Sequence, residues 1–318
     1  MNCLYLDLKN LGVRLDGQAL ILYENDVQKG SVPLHILERI VIRGNVQLES
    51  RVLGELSARN IGLLVLSGRN SDVTTILAGK THNESSRRLG QYRISLDDEL
   101  RAVLAHWLVI VKVRAQRRLL CEALLTRADL RYSLTEAVQR LDNILNQLRE
   151  NSDKSSLLIL RGFEGAAASA YFSGFIGLFT PSLNFTGRNK RPPPDPVNAC
   201  LSLGYTLLYH DAAHACHIAG LDTMLGFYHD ISFGRESLAC DLMEPLRPLI
   251  DRWVWWLFRD RILRKEHFCD DKGRCLLNKT GRKHFYGFYE SNCGAMRRLL
   301  RRYSYALARR YQTVYSGK

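Results

Sequence analysis

The first 80 residues alternate short apolar segments with turn residues, a pattern typical of β-strands. The apolar segments are residues 4–8, 13–15, 19–23, 27–32, 40–42, 63–66 and 73–77. Asp16-Gly17 and Asn25-Asp26 are hairpin signals, because these residue types tolerate the positive φ angles of tight turns. In residues 49–60 the apolar positions recur at helical spacing instead. This part of the chain is predicted to be a small, mostly β domain with one helix.

After residue 80 the apolar positions change to the period of helices. Helical patterns cover residues 100–125, 137–148, the stretch around residue 164, 197–219, 235–263 and 282–312. Ser95 and Ser133 stand three residues before an acid and are predicted to cap helices. The three consecutive prolines in 188–196 lack backbone donors, so this segment is predicted to be a loop. The fold class is therefore α+β, with a β-rich domain (1–80) followed by a larger all-α domain (81–318).

The charge of the chain is unevenly distributed. The 318 residues contain 45 Lys and Arg against 32 Asp and Glu, a net charge of +13. Residues 1–80 hold nine basic and eight acidic residues, which leaves 36 basic and 24 acidic residues in 81–318. The last 38 residues hold nine basic residues and one acid, Glu290. Such a one-sided basic surface is typical of proteins that bind polyphosphates, although it also serves solubility alone.

Two further features bear on the location of the protein. No apolar run reaches the roughly 18 residues of a membrane span, and the N-terminus lacks the pattern of a signal peptide. The eight cysteines include no Cys-x-x-Cys pair, which favours reduced thiols over a disulfide framework. We expect a cytoplasmic protein without membrane contact.

Three blocks contain the candidate chemistry. They are RGFEGAAASAYF (161–172), RNKRPPPDPVN (188–198) and GLDTMLGFYH (220–229), the last continuing into SLACDLMEPLRP (237–248). Each has an ordinary interpretation when taken singly. Glu164 can pair with Arg161 one turn earlier, and a histidine such as His229 usually packs. Two acids at i and i+3, such as Asp241 and Glu244, usually face solvent.

Together and in this order, the blocks resemble the CRISPR-associated integrases that capture new spacers, the "Cas-one" family. The resemblance extends over nearly the whole chain. It implies that Glu164, His229 and Glu244 are catalytic and bind Mg²⁺ or Mn²⁺, ions that suit two carboxylates and an imidazole. Asp241 is the alternative third ligand, or the group that orients a ligand.

The resemblance also implies a reaction and partners. The 3′-hydroxyl ends of short duplex prespacer DNA would attack a phosphodiester at the boundary of the CRISPR leader and repeat, a metal-dependent transesterification. Without a prespacer, the site would act as an endonuclease. Residues 1–80 would mediate a homodimer, and two dimers would flank a dimer of the small "Cas-two" partner in a heterohexamer on DNA.

Basic and aromatic residues are predicted to contact this DNA. The candidates on or near the proline loop are Arg188, Lys190, Arg191, Tyr205 and Arg247. Those near the C-terminus are Lys279, Arg282, Lys283, His284 and the stripe Arg297, Arg298, Arg301 and Arg302. Each also fits an ordinary exposed or packed residue.

Three other functions compete with this hypothesis. His210, His214 and His217 share a helix face and resemble the ligands of a zinc-dependent hydrolase, although Asp211 stands where such a helix has its catalytic Glu. A tyrosine recombinase needs a His-x-x-Arg motif, and no histidine here is followed by arginine at that spacing. A basic, non-catalytic nucleic-acid scaffold is the third, and it predicts that Glu164→Ala changes no DNA activity.

Overall fold

The computed structural model describes residues 2–8, 10–66, 73–77, 79, 82–151, 156–189 and 192–316. Its N-terminal strands are β1 Asn2–Leu6, β2 Leu11–Asp16, β3 Ala19–Glu24, β4 Val27–Pro33, β5 Leu37–Arg43, β6 Val46–Leu48, β7 Gly62–Leu66 and β8 Val73–Leu77. Helix α1 (Ser50–Ala58) lies between β6 and β7. The seven predicted strands and the predicted helix are all present, and β6 is a further short strand that was not predicted.

The strands form two four-stranded sheets. One has the order β1-β5-β7-β8, in which β8 is antiparallel to β7 and the other pairs are parallel. The other has the order β4-β3-β2-β6. Because side chains alternate along a strand, Ile40 and Ile42 of β5 lie in the core between the sheets, whereas Val41 belongs to the core of the helical part. The strand β5 is thus buried on both faces, and its sheet packs on the helices.

The rest of the chain is helical and is interrupted by one small hairpin among the described residues. The helices are α2 Ser85–Ser95, α3 Asp98–Leu124, α4 Arg131–Glu150, α5 Leu157–Phe175, α6 Pro196–Ile218, α7 Ser237–Met243, α8 Arg247–Arg259 and α9 Lys279–Ser316. The hairpin pairs β9 (Phe268–Asp270) with β10 (Cys275–Leu277). A β-rich region followed by helices confirms the predicted fold class, while the hairpin corrects the expectation that residues 81–318 are entirely helical. None of the described helices is long and apolar enough to span a bilayer.

The predicted helix starts need correction. Asp97, not Ser95, caps α3, and its carboxylate accepts the backbone amides of Glu99 and Leu100 at 3.0 Å each. A carboxylate also complements the positive end of the helix dipole, which a serine hydroxyl does not. Ser95 ends α2, and Ser133 lies inside α4. The long pattern 235–263 divides into α7 and α8 at Pro245, as the missing backbone donor of proline requires.

A buried ion network joins the β domain to the helices. Arg39 of β5 contacts Asp211 of α6 at 2.6 Å and Glu290 of α9 at 3.3 Å. Arg297 of α9 contacts the same two acids at 3.0 and 2.7 Å. Arg297 is therefore buried and paired, which corrects its prediction as a surface contact for DNA.

Candidate active site

The structure brings together the three residues that the motifs single out. Glu164 lies in the middle of α5, and His229 lies in the connection between α6 and α7. Glu244 follows α7 directly, in the short turn that Pro245 forms before α8. His229 Nε2 lies 4.0 Å from Glu244 Oε1.

Asp241 holds His229 in one orientation. Its carboxylate is fully buried, and Oδ2 accepts the backbone amides of Phe227 and Tyr228 at 2.7 and 3.0 Å. Oδ1 accepts the backbone amide of His229 at 3.0 Å and lies 2.6 Å from its Nδ1. A carboxylate oxygen accepts hydrogen bonds, so Nδ1 carries the proton and the lone pair of the neutral ring is on Nε2.

Gly226 makes this arrangement possible. A Cβ atom at this position would lie 2.5 Å from Asp241 Oδ2 and 2.9 Å from the carbonyl carbon of Ser237. Both distances are shorter than real Cβ contacts allow, so only glycine lets the chain pass this close to the buried carboxylate.

The two glutamates share a buried cation that sequence reasoning missed. Lys112 of α3 donates to Glu164 Oε1 and, at 2.5 Å, to Glu244 Oε2. The alternative pairing of Glu164 with Arg161 is wrong, because Arg161 contacts Asp230 at 2.6 Å instead. The signal for Lys112 is a lysine within the apolar run LVIVKV, where a charge is costly unless it is paired.

The local charges keep the site ionised. Burial raises the pKa of Glu244, but Arg247 at 3.1 Å and Lys112 outweigh burial and lower that pKa to about 2. Burial lowers the pKa of Lys112, and Glu244 and Glu164 raise it above its ordinary value. Glu244 is thus a carboxylate, and Lys112 an ammonium, at neutral pH.

A buried hydroxyl without a partner lies in the same region. Tyr228 Oη has no hydrogen-bond partner among the described residues, although the side chain is buried. Burial, followed by the charges of Glu164 and Glu244, raises its pKa, so the hydroxyl keeps its proton and can donate.

One path of arginines and a tyrosine leads from the proline loop to Glu244. The guanidinium carbons of Arg188 and Arg247 lie 5.3 and 5.0 Å from the ring centre of Tyr205. The Tyr205 hydroxyl donates to buried Asp251, which fixes the ring. Lys190 and Arg191 lie outside the described residues.

The basic residues near the C-terminus have different surroundings. Lys279, Lys283, His284, Arg298 and Arg302 are exposed. Arg301 contacts Glu38 at 2.8 Å, and Arg282 contacts Asp7 at 2.7 Å. The exposed members remain available to a ligand, while Arg282 and Arg301 also tie α9 to the β domain.

The histidines of α6 offer a poorer place for a cation. Burial lowers the pKa of His210 to about 3 and that of His214 to about 4, while the Asp211 carboxylate acts in the opposite direction at both. At His210 the Arg39 guanidinium outweighs Asp211, and a charge that opposes a proton also opposes a divalent ion. We therefore find no support for the zinc-hydrolase alternative.

The donor set at Glu164 fits a hard divalent ion. Two carboxylates and an oriented imidazole are ligands that Mg²⁺ and Mn²⁺ accept, and these carboxylates already enclose a cation. In the part of the chain that the structure describes, no three His, Cys, Asp or Glu side chains converge as a finished metal cage. Glu164 and Glu244 instead each contact the Lys112 ammonium through one oxygen.

Sequence comparison indicates the family of the chain. The profile of the family described as "CRISPR associated protein Cas1" matches residues 4–291. The CRISPR-associated endonuclease Cas1 1 of Thermodesulfovibrio yellowstonii is 40% identical over 294 residues, which cover 91% of this chain and 91% of that protein.

Two solved structures share the fold. A casposase bound to its integration product has a TM-score of 0.82 at 20% identity, over 100% of this chain and 92% of that chain. A Cas6-RT-Cas1–Cas2 complex has a TM-score of 0.78 at 22% identity, over 99% of this chain and 35% of that chain. At these identities the likeness concerns the fold.

Proposed function

Because this chain belongs to the family of CRISPR-associated Cas1 proteins, we propose that it is a divalent-metal-dependent DNA endonuclease and integrase of CRISPR adaptation. Its reaction joins the 3′-hydroxyl ends of short prespacer duplexes to the leader–repeat boundary by transesterification. One observation carries the proposal. Glu164 and Glu244 enclose a buried cation beside His229, whose Nε2 carries a lone pair.

The metal site consists of Glu164, Glu244 and His229 Nε2. A Mg²⁺ or Mn²⁺ ion held by these residues would act as a Lewis acid on the phosphodiester. Asp241 orients His229 and does not bind the ion, because both of its oxygens already accept two hydrogen bonds. The unpartnered Tyr228 hydroxyl is a suitable donor to a water molecule or phosphate oxygen at the site.

The DNA surface is made of basic side chains that contact phosphates. Arg188, Tyr205 and Arg247 would guide the strand from the proline loop to the metal site. The exposed residues Lys283, Arg298 and Arg302 of α9, with Arg301 beside them, would hold the duplex independently of its sequence. Arg297 is left out of this surface because it is buried.

The assembly follows the family resemblance. The β domain would form a homodimer, and two dimers would bind a dimer of the small Cas2 partner on DNA in the prokaryotic cytoplasm. The fold shared with a chain of a Cas1–Cas2-containing complex supports this assembly. Mass photometry of the protein alone, and with the partner, measures both steps.

A joining assay tests the catalytic proposal. Protein is mixed with short duplexes bearing free 3′-hydroxyls and with a supercoiled plasmid that carries a leader–repeat, in Mn²⁺ or in EDTA. Wild-type protein is compared with Glu164→Gln, which keeps the shape and removes the charge, and with Glu136→Gln, an exposed glutamate of α4. We expect covalent joining that needs Mn²⁺, disappears in Glu164→Gln and persists in Glu136→Gln.

The same assay tests the scaffold alternative. If the protein binds DNA without joining or cleaving it, and Glu164→Gln behaves as wild type, the catalytic assignment is wrong and a basic binding protein remains. Joining that persists in EDTA would point to metal-free chemistry and would also refute the proposal.

A further inference from the structure

Lys112 is a buried cation at the candidate active site, and the family resemblance gives it no role. It lies in the middle of α3, and its side chain is 9% exposed. Its ammonium contacts one oxygen of Glu164 and one of Glu244. Because both oxygens touch the same nitrogen, they lie no more than about 5 Å apart.

Two carboxylates this close repel each other strongly in a buried site unless a cation lies between them. The Lys112 ammonium supplies this positive charge. Lys112 contacts Glu244 Oε2, whereas Glu244 Oε1 lies 4.0 Å from His229 Nε2. A divalent ion held by Glu164, Glu244 and His229 would therefore lie close to the ammonium, and the repulsion between the two cations would weaken the binding of each.

We propose that Lys112 is a built-in counter-ion of the metal site, which holds Glu164 and Glu244 in place until a divalent ion displaces its ammonium. This inference rests on the proposed function, because it takes the two glutamates as metal ligands. It has two consequences, one for the stability of the metal-free protein and one for the affinity for the metal. Lys112 stabilises the metal-free protein, and it lowers the apparent affinity for the metal by competing with it.

The substitution Lys112→Met separates these consequences, since it keeps the apolar stem and removes the charge. In EDTA the variant is expected to melt at a lower temperature than wild type, because the carboxylates lose their counter-ion. In a Mn²⁺ titration at pH 8, with free Mn²⁺ measured by electron paramagnetic resonance, the variant is expected to bind about tenfold more tightly. This factor corresponds to about 1.4 kcal/mol, near the lower value for one hydrogen bond to a charged group.

Lys265→Met is the matched control for the change in net charge. Lys265 is exposed in the segment between α8 and β9, far in sequence from the site residues. Its substitution is expected to change neither the melting temperature in EDTA nor the Mn²⁺ affinity. If folded Lys112→Met binds Mn²⁺ with the wild-type affinity or more weakly, Lys112 does not compete with the metal and the inference is wrong.

Glu164→Gln distinguishes a failure of this inference from a failure of the proposed function. If wild-type protein does not bind Mn²⁺, or if Glu164→Gln binds it as tightly, the metal site itself is wrong. If wild type binds Mn²⁺, Glu164→Gln weakens binding and Lys112→Met does not strengthen it, only the role of Lys112 is refuted.

A measurement on wild-type protein tests the displacement even if the Lys112 variant does not fold. An amine-reactive acetylating reagent is applied with and without saturating Mn²⁺, and modification is followed by peptide mass spectrometry. Lys112 is expected to react faster with Mn²⁺ bound, because its ammonium has left the carboxylates, while Lys265 reacts at an unchanged rate. Equal reactivity of Lys112 in both conditions would refute displacement.

Discussion

Replacing Asp241 with asparagine tests how the orientation of His229 depends on one buried carboxylate. Asparagine keeps the shape but has one acceptor oxygen, whereas the carboxylate accepts four donors. If the amide nitrogen replaces Oδ2, the backbone amides of Phe227 and Tyr228 both lose their acceptor. If it replaces Oδ1, only the His229 amide is orphaned, because the ring can move its proton to Nε2 and accept the new donor at Nδ1.

The second arrangement costs less, since it leaves one buried donor unpaired and not two. One buried donor without a partner costs about 1–3 kcal/mol, so the free energy of unfolding of Asp241→Asn is expected to be lower than that of wild type by about this amount. The larger effect falls on the metal. Metal binding requires the lone pair on His229 Nε2, so the ring proton must return to Nδ1. There it would face the asparagine NH₂ group and become a second donor without an acceptor. This costs about 1–3 kcal/mol more, which is roughly 5–150-fold in metal affinity.

Three measurements check this reasoning: thermal unfolding, Mn²⁺ titration and the ¹⁵N spectrum of the His229 ring. Asp230→Asn is the control, because Asp230 lies one residue after His229 but is half exposed and pairs with arginines at the surface. It is expected to cost less than about 1 kcal/mol. If Asp241→Asn keeps the wild-type Mn²⁺ affinity, or if its His229 keeps the proton on Nδ1, the argument is refuted.

Buried charges and the basic surface give further expectations. Burial raises the pKa of Asp251 to about 6, above the roughly 3.9 of an unfolded chain. Its ionisation therefore destabilises the fold by up to about 3 kcal/mol as pH rises from 4 to above 6. Asp251→Asn should gain stability relative to wild type between pH 4 and pH 8 in urea unfolding, and an equal difference at both pH values would contradict this. Arg39→Met should lower the free energy of unfolding by about 3–5 kcal/mol, because it leaves Asp211 and Glu290 with one cation fewer. Arg59→Met, at an exposed position, should lower it by less than about 1 kcal/mol. Similar melting temperatures for the two variants would show that the buried network does not stabilise the fold. Arg302→Gln should reduce the slope of log affinity against log salt by about 1 in fluorescence anisotropy with duplex DNA, and an unchanged slope would remove this residue from the proposed surface.

The sequence predicted the fold wherever periodicity reports burial. The continuous apolar run in β5 and the 3.6-residue period after residue 80 reflect which faces pack, so the strands of five or more residues and most helices were found. The β9–β10 hairpin was missed because its strands have three residues each. Its position depends on contacts across the fold, such as the backbone bond from Cys275 to the Pro193 carbonyl.

The candidate site shows a different limit. Glu164, His229 and Glu244 were singled out by motif, yet spacing along the chain could not show that they meet. A lysine in an apolar helix signals a buried charge, but the partners of Lys112 lie 52 and 132 residues away. The prediction that the arginine stripe of α9 contacts DNA was wrong at one position for a similar reason. Arg297 faces the β domain and Arg302 faces solvent, and the spacing along the chain does not distinguish the two.

Gly226 has a consequence for how this chain tolerates mutation. It bears no functional group and takes no part in the proposed chemistry, yet any side chain there would displace the carboxylate of Asp241. In a scan of all single substitutions for spacer acquisition, position 226 should be as intolerant as the metal ligands, and alanine should be no milder than larger residues. Tolerance profiles would then mark this glycine as essential, although what it contributes is only the space in which Asp241 holds its histidine.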